Sequence, residues 1–81
     1  MAIDLTLVSR GYCHLCHDME VALKPIAEEF GAKITVLDVD ADADLEARYD
    51  ERVPVLLHGG TELCHYFLDE AKTREYLAGI C

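Results

Sequence analysis

The stretch Gly11-Tyr12-Cys13-His14-Leu15-Cys16-His17 separates an apolar run from a segment with helical spacing. Cys13 and Cys16 are three residues apart, and cysteines at this spacing are neighbours when the first turn is helical. Such a turn offers backbone N–H groups without an intrahelical partner and the positive end of the helix dipole, and both favour a thiolate. Because the thiolate is the species that attacks a disulfide, we expect Cys13 to be a nucleophile and Cys16 to resolve the mixed disulfide.

The length and composition are those of a small folded domain. The 81 residues are 52% apolar and 28% charged, and we expect one domain over residues 1–81. No apolar run approaches the roughly 20 residues that a membrane span needs. Met1-Ala2-Ile3-Asp4 also lacks the basic and apolar regions of a secretory signal, so we expect a soluble, cytoplasmic protein.

The charge and the cysteines restrict the function. Because 16 acidic residues outnumber 7 basic ones, the net charge is -9, and the chain repels phosphate backbones and anionic lipids. Nucleic acid and membranes are therefore excluded as partners, and we expect a monomer. In a reducing compartment, a catalytic or metal-binding role is favoured over a structural one for the Cys13 and Cys16 pair.

The beginning of the chain predicts a strand followed by a long helix. The apolar run Ile3 to Val8 suits a buried strand, and Ser9-Arg10-Gly11 ends it. Apolar residues with helical spacing then extend from Leu15 to Phe30, and Gly31 stands where a helix stops. Pro25 lies inside this pattern, where it predicts a kink and not an end.

The middle of the chain predicts a second strand and a brief second helix. Ile34 to Val39 is rich in β-branched residues and has the length of a strand. Leu45 and Tyr49 are spaced as neighbours on a helix, and Asp40 or Asp42 could cap it.

The last part predicts a hairpin and a terminal helix. Two strand candidates, Val53 to Leu57 and Thr61 to Phe67, are separated by His58-Gly59-Gly60. Asp69 is expected to cap the last helix. The side chains expected to face inward on that helix are Ala71, Leu77 and Ile80.

The resulting order, βαβαββα, is that of the α/β thioredoxin-like fold, with a four-stranded mixed sheet and flanking helices. Three features carry the resemblance: Cys13-x-x-Cys16 after the first strand, the Val53-Pro54 dipeptide, and the Gly59-Gly60 turn. The chain resembles the small glutaredoxin-like and thioredoxin-like proteins, and most of all the glutaredoxin-like family with a Cys-His-Leu-Cys site. The resemblance implies a thiol-disulfide oxidoreductase in which Pro54 is a cis-proline facing the thiols and Val53 presents its backbone to substrate.

Charged residues are expected near the thiols. His17 lies four residues after Cys13, so a protonated imidazole on that face would help to hold the thiolate. The plainer interpretation of both His17 and His14 is that each is an exposed polar residue of the first helical turn. The resemblance brings Arg10 and Arg52 near the thiols, where Arg10 would stabilise the thiolate and Arg52 would orient an anionic substrate, unless they are solvated surface charges.

The resemblance also implies substrate-binding roles for Tyr12, as a lid over the site, and for Asp69. Glutaredoxins that use glutathione carry a glycine pair and an acidic residue after the fourth strand, whereas this chain has Leu63-Cys64-His65-Tyr66-Phe67-Leu68 before Asp69. The substrate is expected to be a disulfide-containing protein or small molecule. No bound cofactor is expected, and glutathione and a thioredoxin reductase system both stay open as the reductant.

Two other functions compete with the redox one. The residue types for a zinc or iron-sulfur site are present in Cys13, His14, Cys16, His17, Cys64 and His65. Adjacent residues on a strand point to opposite faces, however, so Cys64 and His65 do not form a ligand pair that converges on one ion. The second alternative is a thioredoxin-like interaction domain without catalysis.

Overall fold

A computed structural model describes residues 3–11, 13–49 and 52–80 of the chain. In these ranges the elements are β1 (Ile3–Ser9), α1 (His14–Phe30), β2 (Ala32–Asp38), a 3-10 turn (Val39–Ala41), α2 (Ala43–Tyr49), β3 (Val55–His58), β4 (Thr61–His65) and α3 (Glu70–Ile80). The sheet has the order β2-β1-β3-β4, in which β1 is parallel to β2 and antiparallel to β3, and β4 is antiparallel to β3. This confirms the predicted βαβαββα order and the mixed sheet.

The core lies on both faces of the sheet, because strand residues alternate between faces. On one face, Leu5, Leu7 and Leu56 pack against buried residues of α1 and α3. On the other, Val8 and Val55 pack in a second cluster with partly buried residues of α2. The inner strand β1 ends at Ser9, and the cysteine stretch that follows it contributes Cys16 to the second cluster.

Helix α1 is continuous from His14 to Phe30, and Pro25 does not end it. Its buried face contains Met19, Leu23 and Ile26, which follow one another at helical spacing. Gly31 ends the helix with φ 67°, and its N–H donates to the carbonyls of the last turn. The prediction of this helix and of its stop is confirmed.

The second strand begins and ends earlier than the sequence predicts. It is Ala32–Asp38 instead of Ile34 to Val39, because Val39 is buried in the 3-10 turn. As an edge strand it has exposed apolar residues, and the side chain of Val36 is 46% exposed. Asp42 caps α2, since its Oδ1 accepts the backbone N–H of Asp44 at 2.9 Å.

The hairpin forms around Gly59-Gly60, with His58 opposite Thr61. Gly59 has φ 61°, a conformation that glycine adopts without strain. Strand β3 begins at Val55, two residues later than predicted, and β4 ends at His65 instead of Phe67. The reason for the second difference is Tyr66, whose φ of 64° is incompatible with a strand.

Helix α3 begins after Asp69 as predicted, because Asp69 Oδ1 accepts the backbone N–H of Lys72 at 3.0 Å. The predicted inward face is correct for Leu77 but wrong for Ala71 and Ile80, which are both exposed. The buried residues are Thr73 and Leu77, one turn apart. Ala71 lies on the opposite side of the helix from Thr73, and Ile80 lies at the helix end. Among the described helices, none has the length and apolarity needed to cross a membrane.

Candidate functional site

Cys13 is the N-cap residue of α1. Its backbone is extended, and its Sγ accepts the backbone N–H of Cys16 at 3.1 Å. The two cysteines form a disulfide with their Cα atoms 5.2 Å apart. The first turn of α1, which the structure describes in full, contains no acidic residue. The unpaired N–H groups and the positive end of the helix dipole therefore act on the Cys13 sulfur without a competing carboxylate in that turn.

The two cysteines differ in exposure. Cys16 is 3% exposed and belongs to the second core cluster, whereas Cys13 is half-buried and packs against that cluster. A substrate can therefore approach the sulfur of Cys13 more readily than that of Cys16. Such a difference in exposure suits an attacking thiol at Cys13 and a resolving thiol at Cys16.

Val53 and Pro54 precede β3 and are both buried. Val53 is 9% exposed and packs in the same cluster as Cys16. The Val53-Pro54 peptide bond is cis, and Pro54 is fully buried. The Pro54 carbonyl accepts the backbone N–H of Tyr66 at 2.9 Å, so this segment is joined to the turn that follows β4.

A shallow cavity on one side of α1 brings both cysteines together with Arg10 and His17. The Arg10 Nε donates to both carboxylate oxygens of Asp40, at 3.2 and 3.1 Å. The positive charge of Arg10 is therefore divided between the Asp40 carboxylate and the cavity. The acidic residue that lines this cavity is Glu20. Arg10 and His17 thus line the same cavity as the cysteine pair, and their stabilisation of the thiolate stays a prediction.

Arg52 forms an ion pair with Glu62 of β4. Its guanidinium bonds to Glu62 Oε1 at 2.5 Å, and His65 Nδ1 lies 3.1 Å from Glu62 Oε2. Asp69 is the cap of α3 and borders a groove with Cys64 and His65. Tyr12 lies outside the described residues, and its expected role as a lid stays a prediction.

An exposed apolar turn beyond β4 is a feature that the sequence reasoning missed. The Phe67 N–H donates to the His65 carbonyl at 2.7 Å across Tyr66, which closes a three-residue turn. Phe67 is 71% exposed, and Tyr66 and Leu15 are 39% and 37% exposed. Two adjacent aromatic residues near the end of a short strand could have indicated this surface, but the strand pattern assigned both to β4.

Across ranges 3–11, 13–49 and 52–80, no group of three or more histidine, cysteine or acidic side chains is arranged to hold a metal ion. The exposed His14 Nε2 lies 3.9 Å from a carboxylate oxygen of Asp18, and His65 Nδ1 contacts Glu62.

The family model "Glutaredoxin-like domain (DUF836)" matches residues 4–78. The chain belongs to the glutaredoxin-like domain family. An uncharacterised protein of Mycobacterium tuberculosis is 30% identical to this glutaredoxin-like chain over 80 residues, which are 93% of this chain and 82% of the relative. The solution structure of protein Ne2328 from Nitrosomonas europaea is 34% identical, with a TM-score of 0.82 over 91% of this chain and 89% of that one.

The fold of this glutaredoxin-like chain is thioredoxin-like. The Drosophila melanogaster germline-specific thioredoxin Deadhead is similar at 26% identity, with a TM-score of 0.64. The match covers 99% of this chain and 82% of the thioredoxin. The glutaredoxin-like family and a Cys13–Cys16 pair at disulfide distance together indicate a redox function.

Proposed function

We propose that the chain is a thiol-disulfide oxidoreductase with Cys13 as nucleophile and Cys16 as resolving thiol. The observation that carries the proposal is the hydrogen bond from the Cys16 N–H to the Cys13 sulfur at the N-terminus of α1. A donor of this kind, together with the helix dipole, stabilises the sulfur more as a thiolate than as a thiol.

The reaction has two exchanges. The Cys13 thiolate attacks one sulfur of a substrate disulfide, an S–S bond forms to Cys13, and the other substrate sulfur leaves as a thiolate that takes up a proton. Cys16 then loses its proton and attacks the Cys13 sulfur, which forms the Cys13–Cys16 disulfide and releases the second substrate thiol. The substrate gains two electrons and two protons in total, and the protein becomes oxidised.

An external reductant must then return two electrons to the Cys13–Cys16 disulfide. We propose that either glutathione or a thioredoxin reductase system supplies them, with no cofactor bound to the protein. The substrate is a disulfide-containing protein or small molecule, and the protein acts as a monomer in the cytoplasm. Arg10 and His17 stabilise the thiolate from the shared cavity.

Substrate contacts are proposed on the side of the cis-proline. The packing of Val53 in the cluster that contains Cys16 supports a contact between its backbone and a substrate held at Cys13. Pro54 fixes the direction of that backbone. Tyr12, Arg52 and Asp69 are proposed to contact substrate around this path, and Arg52 does so from its ion pair with Glu62.

The proposal is tested by turnover of a disulfide-linked peptide, with electrons supplied in parallel by glutathione plus its reductase and by a thioredoxin reductase system. The Cys13→Ser variant should be inactive in both systems, and the Cys64→Ser variant should retain wild-type activity. Equal activity of the wild type and of Cys13→Ser would contradict the proposal. Stoichiometric zinc or iron in protein purified under reducing conditions would favour the metal-binding alternative.

A further inference from the structure

An ion pair joins the loop before Cys13 to the turn after β2. The Arg10 Nε donates to both carboxylate oxygens of Asp40, which lies 30 residues away in the sequence. Strands β1 and β2 are parallel neighbours with Ser9 opposite Asp38, so the residues that follow the two strands meet at one edge of the sheet. The side chains of Arg10 and Asp40 are 20% and 43% exposed, so solvent screens this pair less than a fully exposed one.

Asp40 is held in place by the 3-10 turn that contains it. Its backbone N–H donates to the Asp38 Oδ1 at 2.9 Å, which caps the turn. The preceding residue, Val39, is fully buried in the second core cluster, to which Cys16 also belongs. A hydrogen bond and apolar packing therefore anchor the backbone that carries the Asp40 carboxylate.

Arg10 is connected to Cys13 through its backbone. The Cys13 N–H donates to the Arg10 carbonyl at 3.0 Å. The same arginine lines the cavity that both cysteines border, whereas Asp40 is not among the described residues that line it and contacts Arg10 from outside. The place of the guanidinium relative to the Cys13 sulfur therefore depends on the backbone bond at one end of Arg10 and on Asp40 at the other.

Removal of the Asp40 carboxylate has two opposite effects on a thiolate at Cys13. A nearby positive charge favours the thiolate and a nearby negative charge disfavours it. Loss of Asp40 takes away a negative charge, which favours the thiolate. The same loss releases the Arg10 guanidinium from its place in the cavity wall, which disfavours the thiolate. The other charged or titratable residues that line the cavity, His17 and Glu20, are unchanged.

We propose that Asp40 is a positioning residue for the Cys13 thiolate: its carboxylate holds the Arg10 guanidinium at the cavity, and the guanidinium stabilises the thiolate. The inference rests on the proposed redox function and adds a residue outside the cavity to it. The loss of positioning exceeds the loss of charge, because an unanchored arginine gains many rotamers and moves its charge into water. The Asp40 charge itself acts from outside the cavity, where water screens it.

The test measures the thiolate fraction of Cys13 in proteins that carry Cys16→Ser. The quantity is the rate constant of iodoacetamide alkylation as a function of pH, assigned to the Cys13 peptide by mass spectrometry. Asp40→Ala should lower the thiolate fraction at neutral pH by about two- to fivefold, the effect of losing one nearby charge at a partly exposed site. Asp40→Asn keeps an oxygen that accepts the Arg10 N–H, so its thiolate fraction should stay closer to that of the parent.

An Arg10→Ala background separates positioning from charge. Arg10→Ala alone should lower the thiolate fraction about as much as Asp40→Ala does. Without the guanidinium, Asp40 has nothing to position, so the further change Asp40→Ala should raise the thiolate fraction, the opposite of its effect in the parent. The control is Asp44→Ala, which removes an exposed acidic residue from α2 and should not lower the thiolate fraction in either background.

Three results would overturn the proposal. The first is an equal rise of the thiolate fraction in Asp40→Ala and Asp40→Asn, as expected from the loss of a charge alone. The second is an unchanged fraction in both variants, as expected of a solvated surface pair. The third is an unchanged fraction in Arg10→Ala.

The alkylation rate requires no turnover, so these outcomes are separate from the test of the redox function. Equal disulfide reduction by the wild type and by Cys13→Ser would contradict the redox function whatever the alkylation rates are. Alkylation of the half-buried Cys64 in the same samples reports whether each variant stays folded.

Discussion

A carboxylate placed next to Cys13 should suppress its thiolate. Position 17 follows Cys13 by four residues on α1, so the two side chains lie about 6 Å apart. Two unit charges about 6 Å apart in water repel each other by about 0.7 kcal/mol. His17→Glu should therefore raise the pKa of Cys13 and lower its thiolate fraction at neutral pH about threefold.

A matched variant separates the effect of the distance to Cys13 from the effect of the added net charge. Val21→Glu adds the same charge to the same helix, but about 12 Å from Cys13 along the helix axis. This separation exceeds the Debye length of about 8 Å at physiological salt. Both variants carry Cys16→Ser, so that Cys13 cannot form the Cys13–Cys16 disulfide. The assay is the rate of iodoacetamide alkylation at Cys13 as a function of pH, assigned by mass spectrometry of the labelled peptide.

The parent and Val21→Glu proteins should show a Cys13 pKa below the roughly 8.5 of a free cysteine. The helix N-terminus contributes about 0.3–1 kcal/mol to this, which raises the thiolate fraction about two- to fivefold. The same pKa in His17→Glu and Val21→Glu would refute the electrostatic reasoning. A parent pKa at or above the free value would refute activation by the helix N-terminus.

Two further predictions concern stability, and urea denaturation checks both. Thr73 is fully buried, and its hydroxyl has no hydrogen-bond partner in the part of the chain that the structure describes. Thr73→Val should therefore raise the free energy of unfolding by about 1 kcal/mol, whereas Thr73→Ser should not raise it. Because Gly59 has φ 61°, Gly59→Ala should lower the free energy of unfolding by about 1–2 kcal/mol. Gly60 lies outside that backbone region and has open space around its Cα, so a loss in Gly60→Ala equal to that in Gly59→Ala would contradict this reasoning.

The sequence predicts most of the fold because its periodic segments are long or strongly apolar. Helix α1 combines a continuous apolar face with Gly31 at its end, and the run that contains Leu5 and Leu7 is buried on the central strand. Errors fall where the periodic pattern is short. Leu77 faces the core as predicted, but one inward residue does not fix the face of an eleven-residue helix, and Ile80 is exposed.

The candidate site was predictable in part. The spacing of Cys13 and Cys16 places a sulfur on the first turn, which follows from helix geometry alone. The ion pair of Arg52 with Glu62 depends on the register between β3 and β4, and a bulge between Leu56 and Leu57 shifts that register. The exposed position of Phe67 depends on a tight turn at Tyr66, whose φ is 64°, and the strand pattern that assigned both aromatic residues to β4 does not predict such a turn.

The account claims above all that Cys13 is the attacking sulfur and Cys16 the resolving one. The most direct measurement is the intact mass of reduced Cys16→Ser protein after reaction with a disulfide-linked peptide, followed by peptide mapping of the attached sulfur. We expect one peptide per protein, bound to Cys13, which a reductant releases, and no adduct in Cys13→Ser/Cys16→Ser. An adduct on the half-buried Cys64, or equal trapping by Cys13→Ser, would contradict the assignment of the two thiols.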